Sequence, residues 1–273
     1  MNAALAALGW ADLAATVLLV GGLVAAALLV PPSVTGRRWQ WRAAAALGLV
    51  LPAEFGLTAL RMYEVSGVHG ATLVVDLLRT RWGLLWLGRS AGLAALVAGR
   101  RLPPGRLAAV AAAWLLLRSF QGHAGAHGAL PAVIDWAHLL AAAAWLGGLV
   151  QLALLPRPVP VAVAARMRIQ ATAALAVLLP AGAYAAFVHV RHLHLLAGSP
   201  YGRTLVVKLG VVGVLLTLGA TNHFGHVPAM GRGDPEAEAR LVRAVRLEVV
   251  VAAVVLALTA LLGVLPMPHA HAS

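Results

Sequence analysis

The chain has 273 residues, of which 61% are hydrophobic and only 11% charged, with a formal net charge of +12 and no cysteine; its mean hydropathy is +0.87. A soluble domain carries about 25% charged residues, so this composition marks an all-α polytopic membrane protein whose first partner is the lipid bilayer. Its basic residues fall in short groups between apolar runs, which is a topology signal and not a nucleic-acid surface. The lack of cysteine excludes disulfides, thiolate metal sites and thiol catalysis, so any metal chemistry falls to His, Met and carboxylate.

The first apolar run covers about 10–30. No Lys or Arg precedes it, it is about 20 residues long, and no small-residue cleavage site follows, so it reads as a first span rather than a signal peptide. Further runs at 42–60, 82–99, 106–121, 132–155, 168–189, 204–222 and 245–265 give about eight transmembrane helices. Pro52 and Pro180 fall inside spans, where a kink is tolerated.

Basic residues in the connections orient the bundle. Arg37, Arg38 and Arg42, then Arg100, Arg101 and Arg106, then Arg157, Arg166 and Arg168, and last Arg232, Arg240, Arg243 and Arg246 alternate with connections that carry fewer. The positive-inside rule puts these groups in the cytoplasm and both termini outside. His69, His123, His127, His138, His189, His192, His194, His269 and His271 then gather at the outer face, and only His223 and His226 fall inside.

The sequence also repeats. Trp10-Ala11-Asp12-Leu13 through Gly21-Gly22-Leu23-Val24 aligns without a gap on Trp136-Ala137-His138-Leu139 through Gly147-Gly148-Leu149-Val150. Arg81-Trp82-Gly83 followed by Arg89 resembles Pro200-Tyr201-Gly202 followed by Lys208. This predicts two parallel four-helix repeats, 1–121 and 122–273, with sites at their interface. Asp12 becomes the first-half counterpart of His138, and the paired glycines allow close helix approach.

An ionisable residue inside a membrane helix is a functional candidate by default. The leading cluster is His123, His127, Asp135 and His138, brought together by the turn at 122–131. Imidazole suits copper, zinc and iron, and copper fits a set without thiolates. Asp135 is a candidate for fixing an imidazole tautomer; alternatively, His138 bonds a backbone carbonyl and His123 caps a helix. His189, His192 and His194 form a second candidate group, and His269 and His271 with Met267 a third. Met62 is a candidate thioether ligand, though methionine in apolar helices usually packs. Glu54 and Arg89 are expected to pair, and Glu248, beside Arg243 and Arg246, to sit at the inner interface. No phosphate-binding loop, Ser/His/Asp order or zinc-protease motif occurs, and no enzyme activity is expected.

Gly122-His123-Ala124, Asp135-Trp136-Ala137-His138-Leu139-Leu140 with Trp145-Leu146-Gly147-Gly148, Ser199-Pro200-Tyr201-Gly202-Arg203 with Lys208, and Leu247-Glu248 together resemble the copper resistance protein D (CopD) family of bacterial inner-membrane proteins. The resemblance is strongest over about 120–265. It implies an eight-helix inner-membrane protein, with periplasmic termini, that handles copper ion beside a separate periplasmic copper-binding protein of the CopC type. The first expectation is a copper permease in which His123 and His138 pass the ion into the space between the halves. The alternatives are a haem b-binding membrane redox protein, with His138 and either His123 or His189 as axial ligands, and a copper-loading assembly factor.

Overall fold

The computed structural model describes residues 2–29, 33–189 and 198–266, without the side chains of Asn2, Val34, His123, Val188 and His189. Among the described residues every regular element is helical. In chain order these are α1 (Ala3–Leu28), α2 (Val34–Ser66), α3 (Gly70–Arg79), α4 (Arg81–Ala98), α5 (Pro104–Gln121), a single turn at His123–Ala126, α6 (Ala129–Ala153), α7 (Val161–His189), α8 (Pro200–Gly231) and α9 (Ala237–Leu262). Six of them, α1, α2, α6, α7, α8 and α9, are long and apolar enough to cross a membrane. The chain is a multi-pass membrane protein. α4 and α5, at 18 residues each, are shorter. α3 is amphipathic and buries Leu73 and Leu77.

Helix boundaries follow local chemistry. Ser33 opens α2 by accepting from Gly36 N–H at 3.0 Å, and Gly67, at φ 68°, closes it with its N–H on Tyr63 C=O. Ser199 caps α8 in the same way through Gly202 N–H at 2.9 Å, with Pro200 at the first helical position. These caps lengthen the helices beyond their apolar runs. Arg37, Arg38 and Arg42, expected in a connection, lie in the first turns of α2, and Arg240, Arg243 and Arg246 lie in α9.

The core forms around α1 and α6. Buried residues make up 67% of the apolar window of α1, against 11% in α7 and in α8. α1 packs on α2, α5, α6 and α9, and α6 packs on α1, α5, α7 and α9. The outer pairs α4–α5 and α8–α9 complete the bundle. Leu19, Val20, Leu47, Leu115, Leu241 and Val245 are all but inaccessible.

α1 and α6 touch backbone to backbone. A Cβ added at Gly21 would lie 2.0 Å from Ala143 O and 2.8 Å from Gly147 Cα, and one added at Gly147 would lie 2.4 Å from Gly21 Cα. Small residues permit this approach, and van der Waals contact holds it where lipid supplies no hydrophobic drive. Gly21 ends a π-helical turn, Val17–Gly21, within α1. At this depth there is no space between the two helices, which removes this contact from any path between them. Two indole bonds flank the pair: Trp10 Nε1 donates to Ala253 O of α9 at 3.1 Å, and Trp136 Nε1 to Ala112 O of α5 at 2.8 Å.

Gly147→Leu is expected to cost about 1–3 kcal/mol through overpacking, read as a lower melting temperature of the detergent-purified protein. Gly210→Leu, at a position where an added Cβ meets nothing within 4 Å, should leave the melting temperature nearly unchanged.

Candidate functional site

Three polar centres lie within the helical bundle. The largest is a charge network that joins α1, α2, α4 and α5. Arg89, only 2% exposed, donates to Asp12 Oδ1 at 2.6 Å, to Gln121 Oε1 at 2.8 Å and to Glu54 Oε2 at 3.3 Å. Arg118 Nε donates to Asp12 Oδ2 at 2.8 Å. The Arg89 backbone carbonyl accepts from Trp114 Nε1 at 2.7 Å, and the Arg89 guanidinium stands 5.9 Å from the Trp114 ring centroid. Two carboxylates and two guanidiniums balance in charge, and both Asp12 oxygens are occupied. The expected Glu54–Arg89 pair is present, but Asp12 is the closer partner. Arg118 and Gln121 were not anticipated as members, although an arginine ending an apolar run needs an acceptor inside the bundle.

The second centre is His138 on α6. Its ring packs against Gly182 of α7, where an added Cβ would lie 3.6 Å from His138 Cε1. Lys208 and Asp135 stand near enough for their charges to act on the imidazole. Its Nδ1 is buried and has no hydrogen-bond partner among the described residues. Asp135 therefore makes no bond to that nitrogen, and its carboxylate also acts on Arg118. Lys208 of α8 is partly buried and makes no ion pair among the described residues.

The third centre joins α8 and α9. Asn222 Nδ2 donates to Glu248 Oε1. Glu248 is 1% exposed, and its Oε2 lies 3.7 Å from a Cβ position at Gly219, where Trp145 of α6 also closes in. This corrects the interfacial placement read from the neighbouring arginines. Glu248 shares the buried stripe of Leu241, Val245 and Ala252, whereas Arg243 and Arg246 face outward. Asn222 begins a π-helical turn, Asn222–His226, that carries His223 and His226. Such bulges leave backbone groups less regularly paired and often mark functional positions.

Of the other expected residues, His127 is exposed and Asp135 is half-buried. The backbone places His123 at the start of the turn between α5 and α6 and His189 at the end of α7. His192, His194, Met267, His269 and His271 lie outside the described residues. Among the described residues, no three His, Asp or Glu side chains stand together as a metal-holding group.

Residues 161–262 match the family model of copper resistance protein D. This segment carries Gly182, Lys208, Asn222 and Glu248, while His138 lies outside it. The chain is also similar to a copper transport protein, CutJ, of Bacillus subtilis (strain 168). The two are 30% identical over 120 residues, which is 40% of this chain and 22% of that protein's length. No solved structure matches the chain.

Arg89→Met leaves Glu54 without its paired cation and Asp12 with Arg118 alone. Breaking a buried pair in this way is expected to cost about 3–5 kcal/mol, read as loss of folded protein in size-exclusion chromatography and as a lower melting temperature. Adding Asp12→Asn to Arg89→Met should recover part of that loss.

Proposed function

We propose that this chain is a copper-handling inner-membrane protein, non-enzymatic, in which His138 of the second half contacts the ion. The observation that carries this reading is the buried His138 Nδ1, which has no hydrogen-bond partner among the described residues and stands one helix away from the segment that matches copper resistance protein D. Neutral imidazole suits copper, and a conduction site must bind weakly enough to release. Lys208 supplies that weakness, because its positive charge acts on the same imidazole.

Two four-helix halves, 1–121 and 122–273, underlie this reading, with α4 and α5 crossing the membrane beside the six longer helices. Three observations support the arrangement. Gly21 and Gly147, which align in the repeat, meet each other, as equivalent positions must on a two-fold axis. The bonds Trp10–Ala253 and Trp136–Ala112 are reciprocal, each running from the leading helix of one half to the last helix of the other. Residues 43–53, AAAALGLVLPA, also parallel 171–181, ATAALAVLLPA.

In this register Asp12, Glu54 and Arg89 correspond to His138, Gly182 and Lys208. The first half fills its centre with balanced charge, and the second leaves an imidazole and an ammonium with no carboxylate between them. The first half is then the scaffold and the second the copper-bearing half. The ion would enter by way of His123, His127 and His189, with His192, His194, His269 and His271 as further collecting residues. It would pass His138 and leave by way of Glu248, His223 and His226. The path runs within the second half, since the contact between the halves is closed at Gly21 and Gly147. The termini lie on the periplasmic side, and a separate copper-binding protein of the CopC type is the donor.

His138→Ala is expected to lower cellular copper accumulation several-fold at unchanged expression, measured by elemental mass spectrometry. Lys208→Met should have the opposite effect on binding, raising the copper retained by purified protein while slowing release. Wild-type copper levels in both variants would overturn the assignment.

A further inference from the structure

A groove runs between α2 and α4 on the face turned to lipid. It has a volume of about 930 Å³ and is lined by one stripe from each helix, including Trp41, Gly48 and Pro52 on α2 and Trp86, Ser90 and Ala94 on α4. Gly48, Pro52 and Ala94 are exposed, and an added Cβ at Gly48 meets nothing within 4 Å. Along α2 the stripe from Trp41 to Pro52 spans about 16 Å at 1.5 Å per residue, close to one leaflet's share of an apolar core about 30 Å thick. Trp86 closes the far end, its Nε1 donating to Leu51 O at 2.8 Å.

The near end is basic. Arg100 lines the groove mouth. Through Trp41 and Ala45 the groove continues into a second hollow of about 550 Å³ lined by Arg37, Arg38 and Arg42. The Arg42 guanidinium stands 5.2 Å from the Trp39 ring centroid, which holds it at that mouth. None of these four arginines has a carboxylate partner among the described residues. An apolar channel one leaflet long that ends in four uncompensated guanidiniums matches an acyl chain joined to a phosphate. Arginine's planar fork pairs with phosphate oxygens through two parallel bonds, and basic pockets between membrane helices bind anionic headgroups.

We propose that the groove between α2 and α4 binds an anionic glycerophospholipid, with one acyl chain along the groove and the phosphate on Arg37, Arg38, Arg42 and Arg100. Zwitterionic lipid fills the same groove without the charge match and binds more weakly. The site lies outside residues 161–262 and does not rest on the copper reading.

The test uses the full chain, delipidated and reconstituted in phosphatidylcholine nanodiscs doped with phosphatidylglycerol, followed by native mass spectrometry of the released protein. Wild type should retain phosphatidylglycerol in preference to phosphatidylcholine. Gly48→Leu fills the groove without changing charge and should abolish that preference. Arg37→Gln and Arg38→Gln should each weaken retention about fivefold. Leu84→Ala, at a position of α4 that is 61% exposed and outside the groove lining, should retain the lipid as wild type does. Equal retention of the two lipids by wild type would overturn the proposal. So would wild-type retention in Gly48→Leu, or a loss in Leu84→Ala equal to that in Gly48→Leu.

Discussion

A guanidinium buried in a helical bundle has no water to solvate it, so Arg89 must find its acceptors within the protein. It finds them on three other helices: Asp12 on α1, Glu54 on α2 and Gln121 on α5. Each bond joins Arg89 on α4 to a different segment, so the network constrains the relative placement of all four helices. The cost of burying four charges is offset only if this geometry is kept. The network therefore acts less as a source of net stability than as a filter against other packings. The short α4 and α5 supply Arg89, Arg118 and Gln121 to it, so the network ties both to the longer α1 and α2.

The Gly21–Gly147 contact has a complementary role. The charge network fixes α1 against its neighbours on one side, and the glycine contact fixes α1 against α6 on the other. Dispersion between backbones is the only drive available there, and it needs atoms at van der Waals distance. α6 in turn presents His138 to Gly182 of α7. The position of the imidazole thus depends on contacts that begin with Arg89 and pass through two backbones.

The positions of the helices were legible in the sequence because lipid demands uninterrupted apolar length. The likeness of WADL to WAHL drew attention to Asp12 and His138. What was not legible is which face each charged residue takes. Glu248 sits among arginines in sequence, yet a rotation of about 100° per residue separates its face from theirs. Reading the buried stripe of Leu241, Val245 and Ala252 together with Glu248 would have revealed it. Arg118 was missed for a related reason: it ends an apolar run, where a basic residue ordinarily reaches for the headgroups, and its acceptor Asp12 lies 106 positions away. The first turns of α2 were assigned to a connection because Arg37 and Arg38 interrupt the hydropathy, whereas the cap at Ser33 starts the helix before them.

In the proposed register of two halves, the difference between the two centres comes down to a few positions. Where one half places carboxylates at Asp12 and Glu54, the other places His138 and Gly182, and the cation stays, as Arg89 or Lys208. Without acids at those two positions, the second centre keeps an imidazole and an amine, with Asp135 as the carboxylate whose charge acts on His138. A guanidinium left there would be a fixed, undivided charge, whereas lysine's amine sits on a flexible stem and can withdraw. Glycine at 182 gives the imidazole room against α7, and a free Nδ1 remains buried in the bundle. A buried nitrogen with an open lone pair or proton costs free energy in the resting protein. That cost is recovered only when something binds, and in the proposed reading this is what makes His138, and not the satisfied Asp12–Arg89 network, the place for a ligand.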